Sequence, residues 1–269
     1  MPHDLEQLRV TMQNILDTLW ALHQNPDLDP TPLREASELS ADEGQLVQLQ
    51  LLERWLEQGE ELAGWKIGMT SGESRNALGD GIRPSGFVLR SRTLHSGASI
   101  PRKDLYKGGV ENELCFVMAD YLGEGATPAL AKGAIAGVTA AFEINQKRLP
   151  PGCSAGLRVA DNLSNWGIVV GATVPLANTT ADLAELEVAL YGDTGKGEQL
   201  VESVPSQGHI DDHFESLSIL ANRLHRFGHT LAPNQYIITG AYGKTPFAPG
   251  NFRGDFSVGI GGVRVEITA

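Results

Sequence analysis

The chain has 269 residues, of which 41% are hydrophobic and 20% are charged, a balance typical of a globular protein with one main domain. Its 21 Lys and Arg against 33 Asp and Glu residues give a formal charge of −12. This charge argues against nucleic acid and anionic membranes as partners, because both attract basic surfaces. It leaves an anionic small substrate possible, since a pocket can have a local charge opposite to that of the whole protein.

Cysteine content and hydropathy indicate the cellular compartment in which we expect the protein. Cys115 and Cys153 allow one disulfide at most. The N-terminal residues lack the apolar core of a secretion signal, and no stretch approaches the roughly 18 apolar residues of a membrane span. We therefore expect a cytoplasmic protein in a reducing compartment.

The N-terminal residues are predicted to be helical. Apolar residues recur at helical spacing over 4–23, and a connector rich in Pro and Asp covers 25–32. Ser40 and Glu43 form a capping box that begins a second helix over about 41–61. The residues expected to face inward on that helix are Leu46, Leu49, Trp55 and Leu56.

The remainder of the chain consists mainly of short β-type runs separated by Gly and Pro. Two predicted helices interrupt them, over about 128–138 and about 214–228. Strands and helices do not alternate regularly, which favours the α+β class. We therefore expect an N-terminal helical segment over 1–62 and a main domain over 63–269. The predicted strands cover 65–70, 86–90, 111–120, 142–145, 166–174, 185–192, 235–240 and 256–267.

Two glutamates lie at the start of the third of these strands. Alternate residues of a strand point to the same face, so we expect Glu111 and Glu113 to lie side by side. The run beyond them is apolar on both faces, which indicates burial, and two buried carboxylates need a cation or a shared proton. A solvated strand end is the alternative interpretation, because acidic residues are mostly exposed.

A third glutamate, Glu143, lies in the next predicted strand. A strand–helix–strand crossover is predicted to bring that strand back parallel to the first, with Glu143 close to Glu111 and Glu113. Three carboxylates without softer ligands suit a hard divalent cation, Mg²⁺ or Mn²⁺, with positions left for water and substrate.

Two further polar groups adjoin apolar segments. Lys66 lies between two apolar residues, and is either an acid/base or carboxylate-binding group, or an edge-strand lysine in solvent. Asp161, Asn162 and Ser164 form a polar cluster directly before an apolar strand. Such residues also form ordinary turns and caps, so this alternative stays open.

The ordered set of motifs resembles the hydratase and decarboxylase branch of the fumarylacetoacetate hydrolase superfamily, from about residue 40 to 267. In chain order the motifs are WKIGMTS, GFVL, VENEL, FEINQKR, VADNLSNWGIVVG, LANRL, ITGAYGKTPFAPG and GIGGV. The branch includes 2-keto-4-pentenoate hydratases and 4-oxalocrotonate decarboxylases. The resemblance implies a mixed β-roll domain with an N-terminal helical segment. It also implies a homo-oligomer, which could associate with a partner decarboxylase or hydratase.

The resemblance also implies roles for individual residues. Glu111, Glu113 and Glu143 would hold Mg²⁺ or Mn²⁺, and Lys66 would contact the substrate as an acid/base. Four further residues are implied to bind the substrate, namely Asp161, Asn162, Ser164 and Arg148.

Departures from the motifs of the branch leave the exact substrate open. Thr239-Gly240-Ala241 replaces the Thr-Gly-Ser of many members, and Arg83 lies in a stretch that is often acidic in hydratases. Arg83 is either a contact for a second substrate carboxylate or a surface turn residue. His209 and His213 lack the order of a zinc-protease motif, so we do not expect a metal site there.

The expected activity is metal-dependent hydration of a 2-hydroxy-2,4-dienoate to a 4-hydroxy-2-oxo acid, as in aromatic catabolism. A 4-oxalocrotonate-type decarboxylase is the alternative, because enolate stabilisation by a metal serves both reactions. An acylpyruvate C–C hydrolase would need a general-base histidine, and an inactive partner subunit is the non-enzyme alternative. The expected partner is a small 2-oxo or 2-hydroxydienoic acid.

Overall fold

The computed structural model describes residues 2–34, 39–179 and 182–269, with side chains from Val10 onward in the first helix. The helices are α1 (Pro2–Gln24), α2 (Thr31–Arg34), α3 (Ala41–Glu57), α4 (Pro128–Gly133), α5 (Ala155–Ala160) and α6 (His213–Arg226). The strands are β1 (Leu62–Ile67), β2 (Ser85–Leu89), β3 (Thr93–His95), β4 (Ala98–Pro101), β5 (Gly108–Met118), β6 (Ile135–Gln146), β7 (Asn165–Val170), β8 (Val174–Pro175), β9 (Glu187–Asp193), β10 (Gln199–Pro205), β11 (Tyr236–Pro246), β12 (Gly250–Phe256) and β13 (Gly261–Thr268).

The N-terminal helices form where the sequence predicts them. Helix α3 begins in a capping box: the Glu43 amide donates to Ser40 Oγ at 3.2 Å, and the Ser40 amide donates to a Glu43 carboxylate oxygen at 2.8 Å. Two N–H groups that the helix itself leaves unpaired are thereby satisfied. The predicted α+β class with an N-terminal helical segment is confirmed, while the boundary at residue 62 stays a prediction.

The inward face of α3 differs from the prediction. Leu49 and Trp55 are buried as expected, but Leu46 is 46% exposed and Leu56 is also exposed. Buried glutamines lie on the inward face instead, because their amides find partners there. Gln48 donates to the carbonyl oxygens of a β2 residue at 2.6 Å and an α5 residue at 2.8 Å. A polar but fully bonded contact thus joins α3 to the main domain.

The larger sheet contains eight strands within the described residues. Its order is β2-β1-β11-β5-β6-β7-β3, and β8 pairs with β6 beside this path. A smaller sheet has the order β10-β9-β12-β13-β4 and packs against the larger one through a buried apolar core. None of the helices in the described ranges has the length and apolarity needed to traverse a membrane.

The larger sheet is strongly rolled. One buried cluster joins side chains from β1, β2, β5, β6, β7 and β11, and they are Ala63, Val88, Cys115, Ala141, Ile168, Val170 and Ile238. In a flat sheet with roughly 4.8 Å between strands, β2 and β7 would be separated by about 24 Å. Since β2 and β7 contact each other directly, the sheet curls to bring them together, which gives the concave surface a closed floor.

The pairing of β5 with β6 corrects the sequence prediction of a parallel crossover. The strands are antiparallel neighbours, and Glu111 lies directly opposite Glu143. The intervening helix α4 ends at Gly133 rather than near 138, because the apolar run from Ile135 joins the sheet instead of continuing the helix. The predicted proximity of the glutamates is therefore reached by a different topology.

Candidate active site

Three carboxylates meet on the concave face of the rolled sheet. Glu111 and Glu113 are alternate residues of β5, and the β5–β6 register places Glu143 opposite Glu111. One carboxylate oxygen from each of the three lies within 4.8 Å of the others. Like charges directly opposite in a sheet repel, so this arrangement needs compensation from outside the pair of strands.

Lys66 gives part of that compensation. Its Nζ lies 2.6 and 2.7 Å from the two oxygens of Glu143, and its side chain is buried. Lys66 is on β1, with β11 and β5 between it and Glu143, so only the roll of the sheet allows this contact. The interpretation of Lys66 as a solvated edge residue is wrong, because β1 is flanked by β2 and β11.

Neutral groups complete the bonds of the buried carboxylates. Asn165 Nδ2 donates to Glu143 at 2.9 Å, and the Gly240 amide donates to Glu113 at 2.6 Å. Among the described residues, Lys66 is the one cationic side chain that forms an ion pair with any of the three glutamates, and its partner is Glu143. The charges of Lys147 and Lys244 also act on Glu111, although no ion pair joins them to it among the described residues. The cluster itself, three carboxylates with one paired ammonium, has an excess of negative charge.

The pKa values of Lys66 and of two of the glutamates are raised above their ordinary values. Burial raises the pKa of Glu113 well above its usual value, and the neighbouring Glu143 raises it further. Burial and Glu143 likewise raise the pKa of Glu111. Burial by itself would lower the pKa of Lys66, but the charges of the three glutamates outweigh it and raise that pKa. A cation entering the cluster would oppose the shifts on the glutamates, because it would favour their ionised form.

The cluster lies in a cavity of about 240 Å³. The cavity wall includes the loop after β1, the end of β6 and the segment after α5. The charged and amide side chains that line it are Lys66, Glu111, Glu113, Glu143, Asn145, Lys147 and Arg158. The size and polarity of this cavity suit a small anionic ligand.

The segment after α5 adopts an unusual backbone. Asn162, Leu163 and Ser164 have φ values of 56°, 49° and 64°, so three consecutive non-glycine residues are left-handed. Each such residue costs on the order of 1–3 kcal/mol and persists only where its surroundings hold it. The Leu163 carbonyl accepts from Lys66 Nζ at 3.4 Å, and Ser164 lines the cavity. We call Asn162–Ser164 the left-handed turn.

Three of the residues implied to bind substrate lie behind the cavity wall. Asp161 accepts from Arg148 Nε at 2.8 Å, and both side chains are buried. Asn162 accepts from the Phe87 amide at 2.7 Å and donates to the Phe87 carbonyl at 3.0 Å. None of Asp161, Asn162 and Arg148 lines the described cavity, so direct substrate contact by these three residues stays a prediction. Ser164 is the one of the four that lines the cavity.

Sequence reasoning missed Asn145, Lys147 and Arg158. Asn145 is two residues beyond Glu143 on the same face of β6, so strand alternation would have identified it. Its Oδ1 is buried without a hydrogen-bond partner among the described residues. Lys147 and Arg158 are exposed at the cavity mouth, and no local pattern connects them.

The remaining candidates bind elsewhere. Arg83 is buried and pairs with Asp211, Nε to Oδ2 at 2.7 Å, so neither of its predicted roles applies. His209 bonds the Ala241 carbonyl, and His213 bonds the Tyr242 hydroxyl. In the described ranges, the three glutamates are the one group of three or more potential metal ligands. Burial raises the pKa of the Cys115 thiol, which keeps it an unreactive packing group.

Known proteins resemble the chain in sequence and in fold. No family model matches it. The 2-hydroxypent-2,4-dienoate hydratase of Pseudomonas putida is 28% identical over 202 residues, which cover 74% of this chain and 89% of that protein. The 2-keto-4-pentenoate hydratase of Paraburkholderia phymatum is 29% identical over 222 residues, with 78% and 79% covered. The resemblance to the hydratase and decarboxylase branch of the fumarylacetoacetate hydrolase superfamily is confirmed.

A solved structure from this branch has the same fold. The 4-oxalocrotonate decarboxylase from Pseudomonas putida G7, complexed with magnesium and adipate, gives a TM-score of 0.79 over 97% of both chains. The two sequences are 23% identical, so the likeness establishes the fold. The predicted β-roll with an N-terminal helical segment is therefore confirmed.

Proposed function

We propose that this protein is a divalent-metal-dependent lyase. It hydrates a 2-hydroxy-2,4-dienoate of the 2-keto-4-pentenoate type to a 4-hydroxy-2-oxo acid. The observation that supports this most directly is the cluster of three carboxylates and Lys66 on the floor of a small cavity. The curated relatives named as hydratases support the choice of reaction.

The cluster fits a hard divalent cation. Glu111, Glu113 and Glu143 offer only oxygen ligands, and among the described residues Lys66 is the one lysine that forms an ion pair within the cluster. A cation held by the three glutamates would polarise the 2-oxygen and carboxylate of a substrate. We propose Mg²⁺ or Mn²⁺, in keeping with the ligand type.

Lys66 is the proposed acid/base. Its raised pKa keeps the amine protonated at neutral pH, and its Nζ lies beside the cluster at the cavity floor. In hydration, ketonisation of the dienol moves a proton to C5, water then adds at C4, and C3 takes a proton. Lys66 can deliver one of these protons or hold the substrate carboxylate. Ser164 and Asn145 line the same cavity and offer hydrogen bonds to the substrate.

The second candidate is decarboxylation of a 2-oxo diacid. Lys147 and Arg158 lie exposed at the cavity mouth, and neither forms an ion pair with another described residue. Two free cations opposite the carboxylate cluster favour a substrate with a second carboxylate. The related decarboxylase structure contains adipate, a diacid.

Other activities find less support in the cavity. An acylpyruvate hydrolase would need a general-base histidine, and the described cavity wall has none. An inactive subunit would not need to retain a buried, repelling carboxylate cluster. We also propose that the protein is cytoplasmic and that it assembles into homo-oligomers, with or without a partner lyase.

The test is an absorbance assay on purified protein with Mg²⁺ or Mn²⁺, repeated with EDTA. 2-Hydroxypenta-2,4-dienoate and 4-oxalocrotonate are offered separately, and CO₂ release is followed. Metal-dependent dienoate loss without CO₂ supports the hydratase. CO₂ from the diacid supports the decarboxylase instead. Absence of both reactions, with the cation bound, would contradict the proposal.

A further inference from the structure

We propose that His23, in the N-terminal helix α1, is a positioning residue for the lyase site. It holds Asp161, and through Asp161 it holds the left-handed turn that faces Lys66. The role in catalysis rests on the proposed function, whereas the role in holding the turn is independent of it.

The contacts of Asp161 join distant parts of the chain. His23 Nε2 lies 3.1 Å from Asp161 Oδ1, although 138 residues separate them. Arg148 Nε donates to the same oxygen at 2.8 Å, and all three side chains are buried. We call His23, Arg148 and Asp161 the buried brace.

Arg148 also contacts both ends of the left-handed turn. Its Nη2 donates to the Asp161 carbonyl at 3.2 Å and to the Asn165 carbonyl at 3.3 Å. The strained residues 162–164 lie between these two carbonyls. The orientation of the Arg148 guanidinium therefore affects where the turn lies.

The proton on His23 can be assigned from its partner. The Asp161 carboxylate can only accept, so the neutral imidazole has its proton on Nε2 and donates it. His23 Nδ1, the acceptor in this tautomer, is buried with no partner in the described part of the chain. Burial, and then the charge of Arg148, lower the pKa of His23 to about 4, so the imidazole stays neutral near pH 7.

Displacement of the turn would change the site directly. The Leu163 carbonyl faces Lys66 Nζ, Ser164 lines the cavity, and Asn162 fixes the Phe87 backbone beside Lys66. A left-handed turn has no helix or strand of its own to keep its position. The His23 contact thus gives the N-terminal segment a direct effect on the cavity wall.

The test compares His23→Met with His23→Gln. Glutamine can present an N–H to Asp161 from a side chain of similar length, and methionine has similar size but no donor. Leu19→Ala, one turn earlier on the same helix, is the control for loss of packing, because Leu19 is buried among apolar side chains. The measurements are amide hydrogen exchange over 161–165, Mn²⁺ affinity, and kcat and KM for the dienoate.

We expect His23→Met to speed exchange over 161–165 by roughly tenfold and to lower kcat on the order of tenfold, with Mn²⁺ affinity unchanged. His23→Gln should restore most of both, and Leu19→Ala should leave both near wild type. Wild-type exchange over 161–165 in His23→Met, or an equal change in Leu19→Ala, would overturn the proposal.

Two complications have defined outcomes. If His23→Met does not fold, His23→Asn replaces it, because the shorter amide lies too far from Asp161 to substitute for Nε2. If the wild type has no activity on dienoates, the proposed function fails, and hydrogen exchange alone decides the role of His23.

Discussion

Two buried charged clusters lie close together in this protein, and their charge balance differs. The buried brace has one carboxylate, one guanidinium and one neutral imidazole, so its charges cancel. The carboxylate cluster has three glutamates and one lysine, so its charges do not cancel. Both are formed by side chains from separate elements of the rolled sheet and its neighbours.

This difference in charge balance distinguishes a cluster that stabilises the structure from one that binds a ligand. A charge-balanced cluster needs no further ion, and adding a proton or an ion to it would create an unpaired buried charge. An unbalanced cluster is incomplete, and a divalent cation would both offset its charge and create a reactive centre. Removing a charge from the buried brace should therefore lower stability, whereas removing a carboxylate from the unbalanced cluster should lower cation binding and activity.

The largest expected effect is loss of a glutamate from the unbalanced cluster. Glu143→Gln should abolish Mn²⁺ binding and lower activity by more than about 100-fold, because even indirect ligand contacts are worth 10–100-fold. Glu57→Gln, the same change on an exposed part of α3, should be silent. Titration calorimetry and the absorbance assay measure both variants. Full activity in Glu143→Gln would remove this residue from the site.

Lys66→Met separates cation binding from chemistry. Turnover should fall by roughly 10²–10⁴-fold, the usual contribution of a general acid or base. Mn²⁺ should bind at least as tightly, because a positive charge leaves the cluster. Lys103→Met removes an exposed lysine and is the matched control. Unchanged turnover in Lys66→Met would contradict the assigned role.

Arg148→Met tests the balanced cluster. It leaves the Asp161 carboxylate buried without a charged partner, which should lower the free energy of unfolding by about 3–5 kcal/mol. Arg158→Met removes an exposed arginine nearby and should change that free energy by less than about 0.5 kcal/mol. Urea unfolding at pH 7.5 gives both values. Equal stabilities would show that the brace is not a structural unit.

The buried histidines predict how stability depends on pH. His23 and His213 each have a pKa lowered to about 4 in the folded protein, against 6.5 as the ordinary value. The unfolded chain therefore binds more protons between these limits, and stability falls as pH decreases from about 6.5 to about 4. Each histidine should contribute about 3 kcal/mol over the whole window. His23→Gln should lose its own share of this dependence, and an unchanged pH profile would refute the shift.

Some features that depend on residues close together in the chain were predicted correctly from the sequence. Strand alternation in Glu111 and Glu113 predicts their shared face, and Ser40 with Glu43 predicts the start of α3. The strand β10 was missed because it lies at a sheet edge with most side chains exposed, so it has no apolar alternation. The predicted direction of β6 was wrong, because a strand that pairs antiparallel with β5 and one that pairs parallel with it can have the same sequence pattern.

Long-range pairings explain most of what sequence could not give. His23 and Asp161 are far apart in the chain, and neither has a local motif that indicates the other. Arg83 and Asp211 are a second such case, and their pairing removed Arg83 from the candidate substrate contacts. Neither the helical spacing nor the strand alternation in the sequence predicts which buried charged residues will have a partner of opposite charge.

The central claim is that the excess charge of the carboxylate cluster is met by a divalent cation. Mn²⁺ titration of metal-free protein, followed by electron paramagnetic resonance, tests it most directly. We predict one tight site per chain in the wild type and in His23→Gln, and loss of that site in Glu113→Gln. Absence of a tight site in the wild type, or the same site in Glu113→Gln, would contradict the account.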